Sequence, residues 1–248
     1  MKKIVCFLCA ITLVLTSCSS DNDSSYKNFL LPKTEIYTFG SLPGDNTTVT
    51  YVYEGNKIVS LTYDEGAKTV FTYTGNLITK AIYTQNIEGE DQTTTTTLTY
   101  ENNKLKSFLE VSSESESNKK RTYTYNPNGT ISTVTVSIDP TTQEETLESS
   151  SILTLDSKGN IIKAESNSIS NSVEYDNNNN PHKNILGYAL LLDSDIFDKD
   201  ANSVNNITKI TERTDGNVTG TFEYENNYNS DNYLIKSVHG DETYEYVY

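Results

Sequence analysis

Cysteine occurs only as Cys6, Cys9 and Cys18, so nothing beyond residue 18 can form a disulfide, a thiolate metal site or a thiol nucleophile. Tryptophan is absent, which removes the strongest platform for stacking a sugar ring. Histidine appears twice, as His182 and His239 in turn-like contexts, and both read as solvated loop residues rather than ligands or bases. Neither a Gly-x-Ser-x-Gly elbow, nor a His-Glu-x-x-His pair, nor a phosphate-cradling glycine loop is present, and the sequence points away from an enzyme. Basic residues are scarce, 19 against 34 acids, and the net charge of −15 disfavours nucleic acid and anionic lipid surfaces as partners. No cofactor is implied.

The longest apolar run, Ile4–Leu15, follows Lys2 and Lys3 and is too short to cross a bilayer as a helix. It closes on Leu15-Thr16-Ser17-Cys18, which resembles a bacterial lipobox, so residues 1–17 read as a lipoprotein signal peptide and Cys18 as the lipidated residue. Acyl chains on Cys18 would hold the protein on a membrane at about 0.8 kcal/mol per buried methylene. Cys6 and Cys9 leave with the leader. Losing Lys2 and Lys3 leaves 17 basic residues against 34 acids, a net charge of −17. Residues 18–33 read as a flexible tether whose start, Ser19–Ser25, is polar and acidic through Asp21 and Asp23.

What the remainder does contain is a repeat. In Val49–Tyr63 a strand ends on Tyr53, turns through Gly55-Asn56 and returns at Ile58. The same unit recurs at Tyr73, Tyr100 and Tyr125, at Leu155 with leucine for tyrosine, at Tyr175 and at Tyr228. The copy at Tyr175 starts normally and breaks off in an asparagine run. Spacing between copies is irregular, which predicts an antiparallel meander of hairpins forming a large curved sheet or incomplete barrel across residues 34–248. With apolar content of only 35%, the 18 tyrosines have to carry much of the burial, a ring inward and a hydroxyl bonded. Asn86–Gln92, Ser112–Lys119 and Asp139–Glu145 read as variable acidic loops at the end opposite the tight turns.

Within the break, Ile185, Tyr188, Ala189 and Leu192 fall at helical spacing behind Asn184, a competent N-cap, and predict one short helix near 184–197 packed on the sheet. Beyond it, Asp198, Asp200 and Asn202 begin like a calcium loop, although Ser203 stands where the turn glycine belongs and Lys209 where the bidentate glutamate belongs.

Tyr51-Val-Tyr53-Glu-Gly-Asn-Lys-Ile58 and Tyr123-Thr-Tyr125-Asn-Pro-Asn-Gly-Thr-Ile131 resemble YD/RHS-type repeats, and the segment behind Cys18 resembles the acidic export tether of Bacteroidetes surface lipoproteins. The resemblance implies β-hairpin architecture and an outer-membrane lipoprotein exposed on the cell surface. The reading it supports is a non-catalytic binding or adhesion module whose tyrosines and acidic loops contact an extracellular glycan, peptide or protein. The alternative is a structural or carrier protein that encloses an apolar ligand between curved sheet and helix.

Overall fold

The computed structural model describes residues 29–42, 44, 46–192 and 203–248. The proposed signal peptide, Cys18 and the calcium candidates Asp198, Asp200 and Asn202 lie outside the described residues. The first half of the chain forms β1 (Thr34–Phe39), β2 (Thr47–Glu54), β3 (Lys57–Tyr63), β4 (Lys68–Thr74), β5 (Leu77–Ile87), β6 (Glu90–Glu101), β7 (Lys104–Ser112) and β8 (Asn118–Tyr125). The second half forms β9 (Ile131–Ile138), β10 (Glu145–Leu155), β11 (Ile161–Ser166), β12 (Ile169–Tyr175), β13 (Ile207–Thr214), β14 (Asn217–Glu223), β15 (Glu225–Tyr228), β16 (Leu234–His239) and β17 (Glu242–Val247).

Apart from β14 and β15, each strand pairs antiparallel with its neighbours in the chain, and β1 pairs with both β2 and β17, which wraps the sheet into a nearly closed barrel. An all-antiparallel ring needs an even number of strands, because direction alternates around it. The 17 strands meet this because β14 and β15, separated by Tyr224 alone, run on as one bent strand. β14 ladders to β13 and β15 to β16, and between β14 and β16 the wall is incomplete.

The hairpin turns use the residues that their backbone demands. Asn102 and Asn103 supply two consecutive positive φ angles, 52° and 59°, and Gly55 leads its turn at φ 62°. At six of the seven repeat anchors the register shifts by one residue next to the anchor, a bulge that sharpens the twist and turns the ring inward. The partner across each turn is the aliphatic return residue: Tyr53 faces Ile58, Tyr73 Ile78, Tyr100 Leu105, Tyr125 Ile131, Leu155 Ile161 and Tyr228 Leu234. Tyr175 faces Ile207, so the broken copy is completed on the far side of its long excursion. Asn86–Gln92 is not a loop. Its ladder runs to Ile87 opposite Glu90 and turns through Glu88-Gly89.

Ile58, Ile78, Leu105 and Ile131 point into the barrel and are fully or almost fully buried. They pack on Ile185, Tyr188, Leu191 and Leu192, so the interrupted repeat supplies a plug for the tight-turn end. The plug is not the expected helix. Among the described residues 184–192 only a 3-10 turn forms, at Tyr188–Leu190. Three contacts outcompete helical bonding. The Leu186 N–H donates to Asn56 O at 2.9 Å. The Asn184 side chain donates to Leu30 O and to the Tyr233 hydroxyl instead of capping. Gly187 takes φ 83° where a Cβ would stand 3.1 Å from Asn76 O.

Candidate functional site

Two kinds of tyrosine line the inside of the barrel, and they do different things. At the plugged end the repeat anchors form a ladder in which a ring of one copy bonds the backbone of the copy before it. Tyr100 donates to Ile78 O at 2.8 Å and Tyr175 to Ile161 O at 2.9 Å, and Tyr248, which is not one of the seven anchors, makes the same kind of bond to Leu234 O at 2.8 Å. Tyr73 accepts from the Ile58 N–H and donates to Leu186 O on the plug. Tyr53 donates to Pro32 O, Tyr125 bonds the Leu105 backbone, and Tyr228 donates to the Asp176 carboxylate. Leu155 has no hydroxyl, and the ladder lapses at that copy. Burial pushes the Tyr73 hydroxyl up to about 12 and, with the Asp176 bond, does the same for Tyr228. These anchors are structural pins.

Above the plug the described residues leave space in the interior. A chamber of about 330 Å³ is lined by Glu35, Tyr37, Thr47, Val49, Tyr51, Leu61, Tyr63, Thr69, His182, Tyr188 and Tyr244. Strand alternation places Glu35, Tyr37 and Val49 on the inward face, since Glu35 lies opposite Val49 and Tyr37 opposite both Thr47 and Tyr244. His182 and Tyr188, contributed by the plug, form the floor. Thr47 and Tyr37 flank the β1–β2 connection at the other end.

A chain of polar groups crosses that floor. Tyr51 donates its hydroxyl proton to the Glu35 carboxylate. Having only one proton to give, it receives from His182 Nε2 at 3.0 Å, which sets the imidazole tautomer with Nε2 protonated. The imidazole also stacks on Tyr51 with ring centres 5.8 Å apart and tilts against Tyr188 at 5.6 Å. Burial, and then the Glu35 charge, push the Tyr51 hydroxyl well above its ordinary range, and burial does so for Tyr188. Both stay neutral donors at physiological pH.

A second lobe of about 390 Å³ lies against β8 to β13 and carries Arg121, whose Nε donates to Thr135 Oγ1 at 2.8 Å. A narrow cavity of about 50 Å³ touches both lobes, sharing His182 and Tyr244 with the first and Ile207 and Ile210 with the second. The first chamber thus carries the Glu35 carboxylate and the second the Arg121 guanidinium, with the narrow cavity between them. Among the described residues no group of three side chains could hold a metal ion.

His182 corrects the sequence reading. It is 3% exposed, inside the barrel, because the excursion folds inward rather than looping into water. His239 is also engaged, stacked on Tyr224 with centres 4.8 Å apart. Glu35 was not legible as a site residue. The available signal was its period-two partnership with Tyr37, which is offset by Ile36, an aliphatic that points outward here.

No family model matches the chain, and no curated protein matches it in sequence. Its fold is similar to that of a porin-like protein from Bacteroides vulgatus ATCC 8482, at 13% identity and TM-score 0.58, covering 89% of this chain and 99% of that one. A porin-like protein from Bacteroides uniformis ATCC 8492 aligns at 11% identity and TM-score 0.48, covering 87% of this chain and 96% of that one. At these identities the likeness is one of fold.

Proposed function

We propose that this chain is a non-catalytic binding module, held at the outer membrane by lipid on Cys18 and exposed on the cell surface, which takes its ligand inside the barrel. The observation that carries this reading is the lumen itself. One end is packed shut by residues 185–192, while the other keeps a chamber near the small end of the roughly 300–1,000 Å³ that ligand pockets occupy. The lipobox and acidic tether of the sequence, and the Bacteroides origin of both fold neighbours, fit an envelope setting.

The barrel's own wall argues for an anchor rather than insertion. Lys68, Lys80, Lys106 and Lys120 stand on the outward face, and a lysine at the bilayer midplane costs about 2–4 kcal/mol. β1, β11, β16 and β17 have six residues each, against about 9–11 for a membrane-crossing strand. The chain enters the barrel at the plugged end, where Leu30 and Pro32 bond Asn184 and Tyr53. A tether arriving there turns the opposite end away from the membrane. The apolar-carrier alternative asks for apolar walls, whereas Glu35, His182, Thr47 and Thr69 make these amphipathic.

The test is ligand-observed NMR with a panel of small sugars, short peptides, amines and fatty acids against wild type and Thr69→Phe, a change that fills the chamber from its wall. Saturation transfer to a panel member that is lost in Thr69→Phe supports lumen binding. Transfer unaffected by Thr69→Phe, or absent throughout, overturns it.

A further inference from the structure

Resting on the lumen-binding reading, we infer that the Glu35 chamber is a site for an organic ammonium ion, the head of a quaternary or alkylated amine. Five tyrosines line it: Tyr37, Tyr51, Tyr63, Tyr188 and Tyr244. Aromatic faces carry negative electrostatic potential and attract a cation, more strongly when the site is partly desolvated. Tyr37 and Tyr244 form a corner, with ring centres 4.9 Å apart and planes inclined by 41°. Glu35, 4% exposed and accepting from the Tyr51 hydroxyl, adds a carboxylate oxygen pair that an ammonium can approach on the same walls. The described lining includes no lysine or arginine.

Other ligand classes fit less well. An anion would be brought beside a buried carboxylate. A hard divalent cation needs about six to eight oxygen ligands, and one carboxylate among aromatic rings does not supply them. A neutral sugar would gain the ring faces but nothing from the charge. The protein's net charge of −15 favours the approach of a cation at long range. The hydrogen-bonded chain from His182 through Tyr51 fixes the carboxylate in place before a ligand arrives, so little ordering remains to be done on binding.

Calorimetric titration of the purified full-length protein with choline, and with its neutral isostere in which carbon replaces the quaternary nitrogen, tests the inference. Choline is expected to bind about tenfold or more tighter than the isostere, and Glu35→Gln to bring the two together. Should Glu35→Gln not fold, Tyr37→Leu at the half-buried rim removes a ring face and is expected to weaken choline selectively. Equal affinity for both ligands, no choline binding to wild type, or choline binding indifferent to these substitutions overturns the ammonium assignment. If both ligands bind equally and both are lost in Thr69→Phe, lumen binding stands and only the charge selectivity falls.

Discussion

Removing one hydroxyl from the tyrosine ladder should cost more than its size suggests. Tyr73 is half-buried, and its oxygen joins the Ile58 N–H at 3.2 Å to Leu186 O at 3.0 Å, tying strand β3 to the plug. Tyr73→Phe keeps the ring but deprives both backbone groups of their partner, a loss of about 1–3 kcal/mol for groups away from water. Tyr73→Ala removes the ring as well and should reach about 3–5 kcal/mol, the range of buried aromatic truncations. The Lys57 ammonium, 5.3 Å from the ring centre, adds about 0.5–1 kcal/mol that Tyr73→Phe retains. Equilibrium urea unfolding followed by circular dichroism measures the difference. Tyr83→Phe is the control, because its hydroxyl meets only the Gln85 side chain, at 3.0 Å. Tyr248→Phe, whose bond to Leu234 O shares no partner with Tyr73, should add to Tyr73→Phe within about 0.5 kcal/mol. If Tyr73→Phe is no more destabilising than Tyr83→Phe, the rungs do not hold the barrel and the ladder argument is wrong.

Alkaline titration should unfold the barrel cooperatively: Tyr73 and Tyr228 ionise near 12 when folded against about 10 when unfolded, so stability present below pH 10 is lost as pH rises through 12. Tyrosinate absorbance rising in simple independent steps near pH 10, with the fold intact, would contradict this. Gly187→Ala should destabilise by about 1–3 kcal/mol, since its φ of 83° and the Asn76 carbonyl both oppose a Cβ; an unchanged thermal midpoint would refute the close approach. Cys18→Ser should abolish membrane attachment in cell fractionation. Replacing Asp21 and Asp23 with alanine should leave the protein lipidated but shielded from protease added to intact cells, and cleavage at the wild-type rate would disprove the export role of the tether.

The hairpin repeat was legible because it is local. A tyrosine, a turn that tolerates positive φ and an aliphatic return sit within a few residues, so strand alternation and turn chemistry alone place Tyr53 against Ile58 and Tyr100 against Leu105. The curved sheet or incomplete barrel followed from stacking such units, and all-β composition from the tyrosines and β-branched residues that fill them. Three things were decided only by long-range contact. Closure depends on β1 meeting β17, more than two hundred residues apart, and on one strand bending at Tyr224 so that directions alternate. The segment 184–192 has helical periodicity, yet backbone partners at Asn56 and the wall at Asn76 hold it as a turn, because a buried N–H bonds whatever carbonyl the tertiary structure offers. The chamber joins Glu35, Tyr51, His182 and Tyr244 from opposite parts of the chain, and no local pattern could signal that the inward face of a short first strand would carry a carboxylate into a ring of tyrosines.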